Sequence, residues 1–149
     1  MPNCFYCSKD DRLSRIMIPI CELQATDVYL FRDQLYQGRC VVALKEHKRE
    51  WFELSRQSLH DFADEVAIVA KALQLAYHPD KLNYAVYGDV VDHFHLHLVP
   101  KYRDGFGWSR PFQTDSEHSI ELQPSEYEQM REEIMRQIQQ TERGRTSCS

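Results

Sequence analysis

The sequence has no stretch approaching the roughly 20 consecutive apolar residues that a membrane-spanning helix needs, so no membrane partner is expected. The opening Met1-Pro2-Asn3-Cys4 lacks the charged-then-apolar layout of a secretory signal, and a reducing, cytoplasmic location is the default expectation. Basic residues are not in excess. The 18 Lys and Arg stand against 23 Asp and Glu, a net charge of −5, which argues against nucleic acid as a partner. A phosphate-bearing small molecule would have to meet local positive character instead. The chain has neither a Walker A pattern, G-x-x-x-x-G-K-[ST], nor an acidic cluster suited to Mg²⁺. Any phosphoryl or nucleotidyl chemistry must therefore rest on imidazole and backbone donors. Internal repeats and low-complexity linkers are missing too.

What is there fits one soluble α+β domain over residues 1–140, with a disordered tail over 141–149 that carries an uninvolved Cys148. At 149 residues the chain can bury a core without disulfides, so its five cysteines read as thiols or metal ligands. Short strands are expected at Arg15–Ile18, stopped by Pro19, at Val28–Phe31 and at Arg39–Leu44, the last two forming a hairpin across Tyr36-Gln37-Gly38. Cys21 and Cys40 fall in apolar stretches as inert buried thiols. Leu59, Phe62, Val66, Val69, Leu73 and Ala76 recur at three- and four-residue steps, the stripe of a helix that starts after Ser55 or Ser58 and ends by His78-Pro79. His60 and His78, at its two ends, read as solvated. A strand over Leu82–Tyr87 and a helix from Pro124 with the stripe Tyr127, Met130, Ile134 and Ile138 complete the pattern. The expected architecture is an antiparallel sheet of about five strands with a long central helix and a C-terminal helix.

Two stretches carry chemistry. Asp92-His93-Phe94-His95-Leu96-His97-Leu98-Val99-Pro100 alternates at period two, so a strand there would present His93, His95 and His97 on one face and Phe94, Leu96 and Leu98 to the core. Packing gives no reason for three imidazoles in a row. At the start of the chain, Cys4-Phe5-Tyr6-Cys7 can chelate Zn²⁺ through a tight turn; a redox pair would want a strand before it and a helix after it, and here a polar, turn-like run follows. The pair supplies two ligands of four. His47 and His93 stand at strand ends, and the set Cys4, Cys7, His47 and His93 would make a closed, structural Cys₂His₂ site. That leaves His95 and His97 free, and a neutral imidazole is a competent nucleophile near neutral pH. The loop Lys101–Pro111, aromatic, basic and glycine-containing, could wall a base or a phosphate.

The run His93-Phe94-His95-Leu96-His97-Leu98-Val99, with the flanking Val28–Asp33, Gly38–His47, the central helix and Gly88–Val91, resembles the histidine triad (HIT) family. The cysteine and histidine set is similar to that of its zinc-binding branch. The resemblance implies the HIT fold, a homodimer, and a nucleotide hydrolase or nucleotidyl transferase acting at the α-phosphate of a nucleoside phosphate ester, anhydride or phosphoramidate, such as a diadenosine polyphosphate. It implies His95 as nucleophile in a nucleotidyl-histidine intermediate, His97 as its partner at the phosphate, Asp33 on the ribose hydroxyls, and Asn83 and Asp89 as polar groups near the nucleotide. Three residues depart from the family pattern: Arg39 stands where histidine is common, Asp89 where asparagine or glutamine is frequent, and Lys101 where arginine is usual. A carboxylate at Asp89 directed into the site would favour a cationic or neutral leaving group over a long polyphosphate. Two other readings remain open at this level: a metal-dependent hydrolase in which His93, His95 and His97 jointly hold a catalytic ion, and a nucleotide-binding protein without turnover.

Overall fold

The computed structural model describes residues 4–114 and 117–146 of the chain, the side chains of 145 and 146 excepted. Two short helices, α1 (Phe5–Ser8) and α2 (Asp11–Ile16), lead into β1 (Met17–Glu22), β2 (Thr26–Phe31) and β3 (Cys40–Leu44). After a 3-10 turn at Trp51–Glu53 come α3 (Arg56–Tyr77), β4 (Lys81–Val86), β5 (His95–Lys101) and α4 (Pro124–Thr146). The five strands form one antiparallel sheet in the order β1-β2-β3-β5-β4, so β5 lies inside the sheet and β4 closes one edge.

Alternation divides the sheet into two unlike faces. Ile20, Val28, Leu30, Val42, Leu44, Leu96 and Leu98 join Phe62, Val69 and Leu73 of α3 and Ile134 and Ile138 of α4 in the main core. Each such side chain, once buried, contributes about 1.5–3 kcal/mol. Ser55 rather than Ser58 starts α3, its hydroxyl accepting from the Ser58 amide at 3.1 Å, and His78 ends it in the left-handed region. Glu65 adds a polar tie: its carboxylate accepts from the Ala25 amide and from the Thr26 hydroxyl, fixing α3 to the turn between β1 and β2. The opposite face carries Tyr29, Val41, Ala43, His95 and His97, covered partly by α1 and α2 and partly by the segment after β5.

Several boundaries differ from the sequence expectation, each for a physical reason. Arg15 and Ile16 belong to α2, and β1 runs through Pro19 instead of stopping there, because β1 is an edge strand with a bulge between Pro19 and Cys21. Likewise β5 continues through Pro100 to Lys101. Its pairing with β3 ends at Leu98, so Pro100 lies beyond that ladder and its missing N–H costs no bond to β3. His93 lies before β5, in a bend where its amide bonds to Val91 O and the Phe94 amide to Lys48 O. The three histidines are therefore not in one strand. At the C-terminus α4 persists to Thr146, past the residue 140 boundary expected of the domain, with Ile138 fully packed and Thr141 bonding back to Gln137 O. Cys148 lies outside the described residues.

Gly38, in the turn before β3, has φ +89°, and a Cβ there would come within 2.7 Å of the Tyr77 ring. Only glycine allows this turn to close against the end of α3.

Candidate active site and metal centre

The bend at His93 turns its imidazole toward α1. Nε2 lies 2.7 Å from Leu44 O, and a carbonyl can only accept, so the ring hydrogen is on Nε2 and the Nδ1 lone pair is free. That Nδ1 sits 3.3 Å from Cys4 Sγ, 3.6 Å from Cys7 Sγ and 3.2 Å from His47 Nδ1, with Cys7 Sγ 3.3 Å from His47 Nδ1. All four ligand atoms lie within 4.8 Å of one another. Tetrahedral Zn²⁺ with bonds of about 2.0–2.3 Å puts its ligand atoms roughly 3.3–3.8 Å apart, so the donor set fits that metal. Among the described residues this is the group of cysteines, histidines and carboxylates that could hold an ion, and it includes neither His95 nor His97. Cys21 and Cys40 stand apart from it, their thiols pushed up by burial, Cys21 to about 11.

His95 and His97 follow on β5. His95 Nδ1 lies 2.6 Å from His93 O, which fixes its hydrogen on Nδ1 and leaves the Nε2 lone pair without a hydrogen bond among the described residues. Burial lowers its pKa below the ordinary imidazole range, so the ring stays neutral. Tyr6, held between the two cysteines, places its ring 5.1 Å from that of His93 and 5.0 Å from that of His95, bridging the metal cluster and the second histidine. His97 is pushed down to about 3 by burial first, then by Arg39 and His95. Both rings line a cavity of about 410 Å³, a volume that suits a small-molecule site. Its apolar walls are Phe5, Ile16, Met17, Phe31 and Phe112, and Asp89 and Val90 stand exposed at its rim.

The other expected site residues sit elsewhere. Asp33 Oδ1 accepts from the Leu35 amide at 3.1 Å and from the Ile120 amide at 2.9 Å, tying the end of β2 to the segment before α4. Asn83 pairs with Val99 on the same sheet face as the histidines, but borders a separate hollow beside Lys101 and Arg110. Lys101 is buried and donates to Gly107 O and Arg110 O, so it shapes the following loop. The cavity wall comes from Phe112 and Thr114, just beyond the Lys101–Pro111 stretch expected to supply it. Tyr6, Phe31 and Phe112 were not marked by the sequence reading. The first could have been, because it lies inside the C-x-x-C; Phe112 has no sequence signal.

A family model described as the HIT domain matches residues 23–104. The chain belongs to the histidine triad family. Among curated relatives, an uncharacterised HIT-like protein of Mycoplasma genitalium is 32% identical over 56% of the chain and 63% of its own length, so the match spans somewhat less than two thirds of that protein. A Schizosaccharomyces pombe protein named adenosine 5'-monophosphoramidase is 30% identical over 91% of the chain and 98% of its own length. A histidine triad protein of Sinorhizobium meliloti superposes with a TM-score of 0.79 at 23% identity, covering 86% of this chain and 94% of that one. A zinc-bound histidine triad family protein of Mycobacterium smegmatis gives 0.65 at 20% identity, covering 96% and 98%. At these identities the solved structures speak for the fold.

Proposed function

We propose that this HIT protein is a nucleotide hydrolase or nucleotidyl transferase that attacks the α-phosphorus of a nucleoside phosphate ester, anhydride or phosphoramidate, diadenosine polyphosphates included, through His95. The observation that carries the reading is the 2.6 Å bond from His95 Nδ1 to His93 O, which leaves Nε2 as a free lone pair on a neutral ring lining the cavity. Attack forms an N–P bond as the bond to the leaving group breaks; water then releases the mononucleotide. His97, next on the same face, meets the phosphate and the departing group. The base would lie against Met17 and Phe31. Asp33 is the group proposed for the ribose and Asn83 for a more distant part of the ligand, both on the strength of the family resemblance. The S. pombe relative's name agrees with chemistry at a nucleotide phosphorus.

Cys4, Cys7, His47 and His93 are proposed to hold one structural zinc, which the zinc-bound M. smegmatis relative supports. Bound there, zinc would fix α1 and the His93 bend, and through His93 O the orientation of His95. A homodimer is proposed across β4, whose outer edge is free in the sheet and whose Tyr84 and Val86 are about half exposed. The rival in which all three histidines share a catalytic ion is disfavoured by the turn of His93 toward the cysteines.

The test is intact-mass analysis after incubation with a panel of adenylated and other nucleotidylated compounds. A mononucleotide adduct that maps to His95 is expected. Tight AMP binding with neither adduct nor turnover across the panel would instead favour a binding protein.

A further inference from the structure

We propose that Arg39 makes this site selective for leaving groups that depart as stable anions, a phosphate or a carboxylate, and slow with amine leaving groups. The inference rests on the reading of His95 as nucleophile and concerns what happens at His97.

Arg39 lies just before β3 and is 1% exposed, with its guanidinium 3.8 Å over the Phe31 ring and 5.3 Å from that of Phe112. Its Nη2 is 3.4 Å from His97 Nδ1, while Nε and Nη1 meet no hydrogen-bond partner among the described residues. Burial brings its pKa down to about 10, so it remains a cation at neutral pH. The Asp33 carboxylate acts on this cation through space, without an ion pair between them among the described residues, so the charge is only partly balanced and an anion arriving in the cavity adds to that balance.

The second consequence is a fixed proton. A guanidinium only donates, so Nδ1 of His97 must accept and its hydrogen resides on Nε2, on the other side of the ring. Protonating Nδ1 would set two donors and two positive charges against each other. The other groups around the ring give no relief: His95 on the same strand at 5.2 Å, Tyr87 after β4 at 5.8 Å, and the apolar Phe31 and Phe112. The Asp89 carboxylate stands exposed at the cavity rim. His97 is therefore a hydrogen-bond donor that is not available as an acid.

For an anhydride this suffices. The His95 Nε2 pair forms the N–P bond, the P–O bond breaks, and its electron pair leaves on a phosphate or carboxylate oxygen, met by the His97 Nε2–H in the field of Arg39. No proton has to move. For a phosphoramidate the P–N pair leaves on an amine nitrogen that must collect a proton. Neutral His97 could supply it only by becoming an imidazolate, so that proton has to come from solvent.

The test compares kcat/KM of the full-length protein on three substrates with a common AMP half: an acyl adenylate, diadenosine triphosphate and an alkylamine phosphoramidate of AMP. The wild type should favour the two anhydrides by at least about 100-fold, the size of a missing general acid. Arg39→His, whose ring can exchange a proton with His97, should narrow that ratio at least about tenfold through kcat on the phosphoramidate. Arg39→Lys, which keeps donor and charge, should retain it. ¹⁵N NMR of wild-type His97 should show hydrogen on Nε2 and no titration between pH 5 and 8, and this readout stands even if Arg39→His folds poorly. Comparable wild-type rates on amines and anhydrides, or a His97 that titrates near pH 6.5, would overturn the selectivity while leaving a His95 adduct intact. Absence of any adduct with all three substrates would overturn the nucleophile reading itself.

Discussion

His93 and His95 are two residues apart, carry the same side chain and are both buried, yet the structure turns their rings opposite ways. His93 gives its Nε2–H to Leu44 O and turns Nδ1 to two thiols and a second imidazole; His95 gives its Nδ1–H to His93 O and keeps Nε2 free. Each ring spends one nitrogen on a backbone carbonyl, and which nitrogen that is decides where the other one faces. The carbonyl that fixes His95 belongs to His93, so the cysteine–histidine cluster and the cavity are mechanically joined. The comparison can be broken from either side.

The largest effect should follow from His95→Ala. Removing a nucleophile from a cooperating set costs on the order of 10⁴–10⁶ in turnover. Single-turnover assays on diadenosine triphosphate should find neither product nor adduct, while circular dichroism and zinc content stay as in the wild type. His93→Ala should differ in kind, because it would strip one of the four proposed zinc ligands and also loosen the bend before His95.

Next comes the metal. Structural zinc sites bind with about 10–16 kcal/mol in small domains, and the proposed zinc would lend part of that energy to folding here. Metal analysis should find one zinc per chain, and Cys4→Ser or exhaustive chelation should lower the melting temperature markedly. Because Tyr6 bridges the His93 and His95 rings, zinc loss should also slow adduct formation, and zinc added back to the chelated protein should restore it. Full activity in stably folded, zinc-free protein would sever the two halves of the comparison.

The extent to which these placements could be read from sequence depended on how local the determinant was. Period-two alternation identified His95, His97 and the core residues Leu96 and Leu98, because strand geometry links side-chain direction to position. The same rule extended the strand one residue pair too far, to His93, since the bend there is made by Lys48 O and Val91 O, which no local pattern announces. The four-residue metal set was legible because C-x-x-C is a strong signal and histidines at strand ends are few. Pro19 and Pro100 misled as strand stops, because whether a proline breaks a ladder depends on which neighbour strand lies beside it. The burial of Arg39 against Phe31 and Phe112 joins the start of β3 to the end of β2 and to the loop after β5. No single stretch contains it.

A pH experiment addresses the third histidine. The folded pKa of His97 is depressed to about 3, so between there and its unfolded value the unfolded chain binds the extra proton. Its contribution to stability is full above about pH 6.5 and is lost as pH falls toward 3. His97→Ala should flatten that acid limb in urea titrations and, by removing the Nε2–H donor at the leaving group, cost roughly 10²-fold in kcat. An unchanged limb would mean that His97 is not buried beside Arg39 in solution.

The smallest effect is expected at Asp89, which with Arg39 departs from the family pattern in a way that would bear on the substrate, through a carboxylate directed into the site. The structure sets two opposite charges on the cavity: Arg39, buried without an ion pair among the described residues and with Asp33 acting on it through space, and Asp89, exposed at the rim. Water and salt screen the second far more than the first, with a Debye length of about 10 Å at 0.1 M salt. Asp89→Asn should therefore raise kcat/KM for diadenosine polyphosphates by no more than about twofold at low ionic strength, and the gain should fade as salt is added. On a phosphoramidate the same change should be near neutral. A change of tenfold or more that persists at high salt would place the Asp89 carboxylate against the phosphates, and the balance of charge at the site would then be set at the rim as much as beneath His97.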